Sequence, residues 1–68
     1  MVEVFKTDVK RISEAKILLG KLSERFPHYK MNFDLSDCDK ILRVEAENIF
    51  INEFFEFINF SNFKVEIL

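Results

Sequence analysis

The sequence predicts an α+β fold in the order βαββαβ, and three observations carry that prediction. Three short segments alternate apolar and polar residues with a period of two and a fourth is rich in β-branched and aromatic residues, two segments repeat apolar residues at helical spacing, and Pro27 and Asn62 stand where helices need to stop. With 68 residues there is room for one domain only. A domain of this size buries only about 60% of the surface its unfolded chain exposes, so its core must be dense. Nine Phe and a 49% share of hydrophobic residues meet that need.

Residues 2–6, Val-Glu-Val-Phe-Lys, read as a first strand rich in β-branched and aromatic side chains. Residues 8–12 form a polar connection. Ser13 is the expected N-cap of the helix that follows, with Glu14 in the first turn where the helix dipole favours an acid. Ala15, Leu18, Leu19, Leu22 and Phe26 then recur at helical spacing, while Lys16, Lys21, Ser23 and Glu24 take the other side. Pro27 ends this helix because it lacks an N–H and disfavours α geometry in the residue before it. Gly20 inside it costs about 1 kcal/mol relative to Ala.

The period then changes. Tyr29, Met31, Phe33 and Leu35 alternate with Lys30, Asn32 and Asp34, as in a strand with one wet face. Ser36-Asp37-Cys38-Asp39 has turn chemistry, and Leu42, Val44 and Ala46 alternate with Arg43 and Glu45 in a strand that pairs back as a hairpin. A second helix over 51–60 has Ile51, Phe54, Phe55 and Ile58 as its core stripe. Asn62 closes it in the left-handed conformation, and Phe63, Val65 and Ile67 alternate in a last strand. Two right-handed crossovers and one hairpin close these elements into a four-stranded antiparallel sheet with both helices on one face, the ferredoxin-like arrangement. Helices on opposite faces would require strands apolar on both sides, which these are not.

Charge and composition narrow the function. Twelve acidic and ten basic residues are interspersed for a net charge of −2, with no basic stripe, so nucleic acid and anionic membrane are not the expected partners. No apolar run approaches the roughly 20 residues that cross a bilayer, and no signal peptide is read at the N-terminus. The single cysteine, Cys38, cannot form an internal disulfide, which suits a reducing cytoplasm. Asn59-Phe60-Ser61 is a chance glycosylation match in that setting.

Phe26-Pro27 at the end of the first helix, Asn32-Phe33-Asp34-Leu35 into a turn, Leu42-Arg43-Val44-Glu45 after it and Phe63-Lys64-Val65-Glu66-Ile67-Leu68 at the end carry a family likeness. In these residues the chain resembles the heavy-metal-associated domain, the small copper- and zinc-carrying module of metallochaperones and P-type ATPases. The hairpin turn is about two residues longer than is usual in that family. The resemblance implies a metal loop between the first strand and first helix, where the family carries Met-x-Cys-x-x-Cys and two soft thiolates take Cu(I). Counting back from Pro27 puts Ile12 and Ala15 at the two cysteine positions, and a second register puts Asp8 and Arg11 there. Neither offers a thiol, so the metal residues do not carry over and no cofactor is expected.

The remaining candidates are few. Cys38 lies between two acids, which raise a thiol's pKa and lower its reactivity. A metal or redox carrier using Cys38 at an intermolecular site is the alternative reading. His28 is seven residues from the hairpin turn, roughly 20 Å or more along a strand, and cannot share a metal with Cys38 in one molecule. Asp34, Ser36, Cys38 and Glu45 have calcium-loop spacing, but Asp39 stands where such a loop needs Gly. No nucleophile stands beside a base and no Gly-rich phosphate loop occurs, so no catalytic residue is assigned. Stacking of RNA bases on the sheet would need outward aromatics, for which Phe5 is the sole candidate on the first strand.

The second helix is the feature that asks for a partner. Beyond its core stripe it carries Phe50, Phe57 and Phe60, and a helix apolar almost all round is covered on more than one side. Either these rings pack on Ile17 and Leu18 of the first helix, or they form an exposed patch that marks a protein partner, most simply a homodimer.

Overall fold

The computed structural model describes residues 1–34 and 40–68, so Leu35 and the expected turn with Cys38 lie outside the described residues. The elements follow in the order β1 (Val2–Thr7), α1 (Ile12–Arg25), β2 (Lys30–Asp34), β3 (Ile41–Glu45), α2 (Ile51–Phe60) and β4 (Val65–Ile67). The strands form one antiparallel sheet in the order β2-β3-β1-β4, which is the ferredoxin-like topology. β1 and β3 are antiparallel neighbours, and each is followed by a helix that runs back along the sheet. α1 and α2 are therefore antiparallel to each other.

Period two decides which side chains meet the helices. Phe5 and Thr7 of β1, Leu42 and Val44 of β3, and the partly buried Met31 and Phe33 of β2 share the inner face. Ala15, Leu18 and Leu22 of α1 and Phe54 and Ile58 of α2 close over them. Six aromatic rings link the layers. Phe54 lies 5.2 Å from Phe5, 5.5 Å from Phe26 and 5.9 Å from Tyr29 between ring centroids. Phe55 meets Phe5 edge-on, and Phe57 meets Phe26 edge-on. Such pairs add roughly 0.5–1.5 kcal/mol each beyond their area burial.

The element boundaries differ from expectation where local hydrogen bonds take over. α1 starts at Ile12 with Arg11, not Ser13, as its N-cap. The Glu14 carboxylate reaches back to accept from the Arg11 N–H at 3.1 Å and the Lys10 N–H at 3.3 Å, which closes the helix start one turn's reach before it. The connection before α1 is less polar than its sequence suggests, because Val9 is fully buried. β4 is shorter than expected because Phe63 belongs to the end of α2. Its N–H donates to the Ile58 carbonyl and that of Asn62 to the Asn59 carbonyl, a Schellman motif with Asn62 at φ 70°. The left-handed role expected of Asn62 is the one it has.

Candidate functional site

The open face of the sheet is a mixed-charge surface. Pairing places Lys30 opposite Glu45, Asn32 opposite Arg43, and Lys6 opposite Glu66, with Arg43–Glu45 at 3.7 Å and Lys6–Glu66 at 4.0 Å. These exposed pairs contribute little stability and balance one another in sign. Phe5 points inward and is fully buried, so none of the outward positions of the described strands carries an aromatic ring for base stacking.

The residues of both metal-loop registers lie between the end of β1 and the first turn of α1. Asp8 binds the start of β4 twice: its carboxylate accepts from the Lys64 N–H at 2.8 Å and its own N–H donates to the Lys64 carbonyl at 3.3 Å. Ala15 is in the core, while Ile12 and Arg11 are exposed at the helix start. Among the described residues no group of three or more His, Cys, Asp or Glu is placed to hold a metal ion. His28 is exposed, and Cys38 lies outside the described residues.

The three Phe singled out on α2 have three different environments. Phe57 is partly buried, with its ring 6.0 Å from that of Phe26. Phe50 stands at the N-cap of α2, 60% exposed, and its N–H donates to the Tyr29 hydroxyl at 2.9 Å in place of a side-chain cap. Phe60 is 88% exposed at the last turn of the helix. Phe57 and Phe60 line one open groove with Arg25, Glu53 and Glu56, enclosing about 430 Å³; Phe50 is not part of it.

This groove is the outer edge of the seam between the two helices. The Arg25 and Glu53 side chains meet across it at 3.5 Å, and the Arg25 guanidinium also sits 4.8 Å above the Phe26 ring. On α1, Ile17, Lys21 and Arg25 follow at intervals of four and share one face; on α2, Glu53, Phe57 and Phe60 do the same at intervals of four and three. At 1.5 Å per residue, Ile17 lies about 12 Å back along α1 from the Arg25–Glu53 level, and Phe60 about 10.5 Å onward along α2. In antiparallel helices these displacements have the same direction, so Ile17 and Phe60 stand at one level of the seam. Ile17 is itself 62% exposed, and so does not serve as the buried floor under the α2 rings. The sequence places Ile17 outside the core stripe of α1, a signal that points to the surface, but only the helix pairing brings it level with Phe60.

The chain matches no protein-family model, no curated protein and no solved structure. Among the described residues, no helix is long and apolar enough to cross a membrane.

Proposed function

We propose that this chain is a non-enzymatic interaction module, built on a scaffold like that of the heavy-metal-associated domain without its metal-carrying thiols, that self-associates through α2. The observation that carries the reading is Phe60, a large ring left 88% exposed on a well-terminated helix. Burying such a ring contributes about 1.5–3 kcal/mol, and a symmetric contact counts it twice. The charges around it are mixed in sign, as in the rim of a protein contact, and the outward positions of the described strands mix acidic and basic residues rather than forming a basic stripe that would select nucleic acid. The setting in this reading is a reducing cytoplasm, where a lone cysteine stays a thiol.

Sedimentation equilibrium between about 5 and 500 μM tests the reading across the affinity range of small interfaces. A concentration-dependent dimer that is lost in Phe60→Ser supports it. A wild-type monomer over the whole range overturns it.

A further inference from the structure

The self-association just described leaves open which surface of the second copy α2 meets, and this inference rests on that reading. The two helices differ in charge. α1 carries Lys16, Lys21 and Arg25 against Glu14 and Glu24, with Lys10 and Arg11 immediately before it. α2 carries Glu53 and Glu56 and no basic residue. We propose that two copies of this chain pack helical layer on helical layer about a two-fold axis running along the seam, so that α1 of each copy lies over α2 of the other.

Of the in-plane axes that bring these layers face to face, two keep the helices of the copies aligned with one another. The axis that crosses the helices stacks like on like, and sets Glu53 and Glu56 against their own counterparts. The axis along the seam exchanges the helices and sets the acidic α2 on the basic α1 twice over. Charge complementarity selects the second. That operation also keeps every residue at its own level. Ile17 and Phe60, which share a level, gather with their counterparts as four apolar side chains around the axis. Arg25 and Glu53, which share another, form a ring of alternating sign with Arg25 and Glu53 of the second copy. One operation thus supplies an apolar centre and a paired rim.

The area available to the contact is modest. The Cα trace measures 27 by 20 Å along its two longest axes, a flat footprint of about 540 Å² (27 × 20) per copy before side chains are added, at the small end of specific interfaces. A contact of this size is expected to give a weak, reversible dimer.

The test is sedimentation equilibrium of the full chain and of Glu56→Lys, Lys21→Glu and the double variant, with circular dichroism to establish that each is folded. Both sites are exposed, so the fold is expected to persist. Each single variant sets like charges together across α1 and the second copy's α2 and weakens the dimer about threefold or more, and the double variant recovers most of the loss. If Glu56→Lys instead tightens the dimer, the acidic helices face each other and this axis is wrong, while self-association through α2 stands. If single variants weaken the dimer and the double variant does not recover, α1 and α2 are not opposed and the axis is again wrong. If the wild type remains a monomer to about 500 μM, both readings fall together.

Discussion

The two helices cover the same sheet, yet they are held by different means. α1 runs for 14 residues, opens on the backward reach of Glu14 and closes before Pro27, with a narrow stripe of Ala15, Leu18 and Leu22 in the core. Its start and stop are local, and its apolar face is about as wide as a single contact needs. α2 runs for 10 residues, with Phe50 at its N-cap and no side-chain cap. Its start depends on the Tyr29 hydroxyl, 21 residues away, and its interior on rings from β1 and from the end of α1. A helix so short is marginal on its own, so tertiary contacts supply its stability. One set of aromatic side chains thus serves two purposes on α2. Phe54 and Phe57 bind the helix to the domain, and Phe60, one turn further round, is left over.

The dependence of α2 on tertiary contacts is greatest at Phe54. Phe54→Ala removes a ring that touches three others and is expected to cost about 3–5 kcal/mol, which a domain of this size has little reserve to absorb. Urea unfolding should show a folded fraction well below one at 25 °C, and a loss under about 1.5 kcal/mol would mean that α2 does not depend on this cluster. The next effect lies at the end of α2. Asn62→Val places a β-branched residue at φ 70° and should cost about 1–2 kcal/mol, whereas Asn62→Gly should be neutral or better.

On α1 the expected effect has the opposite sign. A Cβ at Gly20 meets nothing within 4 Å, so Gly20→Ala should stabilise by about 0.5–1 kcal/mol, read as a higher urea midpoint with unchanged slope. Smallest of all is Phe60→Ser. At a concentration where the chain is monomeric, its stability should change by no more than about 0.5 kcal/mol, although association is lost. A larger loss would assign Phe60 to the folded monomer and remove the difference between its role and that of Phe54.

Much of the fold was legible because period two and period 3.6 are written by the same side chains that fill the core. Leu18, Leu22, Phe54 and Ile58 stand where their spacing puts them, and Pro27 and Asn62 end the helices by backbone chemistry that needs no neighbour. The start of α1 was less legible. A carboxylate three residues inside the helix competes with a serine for the cap, and the observed geometry favours Glu14. Val9 was missed as core because a single apolar residue among charged neighbours has no period to reveal it.

The element order, the inner faces of β2 and β3 and the surplus of aromatic rings on α2 are written in local spacing and residue type, whereas Val2-Glu3-Val4-Phe5 left the inward side of β1 open, and packing turned Phe5 into the core. Only the tertiary structure decided how that surplus is divided. Phe57 is partly covered because Phe26 lies beside it, Phe60 is bare because no element of the described residues lies over the last turn of α2, and Ile17 stands level with it because the two helices run antiparallel from the Arg25–Glu53 pair. Spacing along one helix fixes a direction around its own axis, and the neighbour in that direction is supplied by the packing of the whole chain.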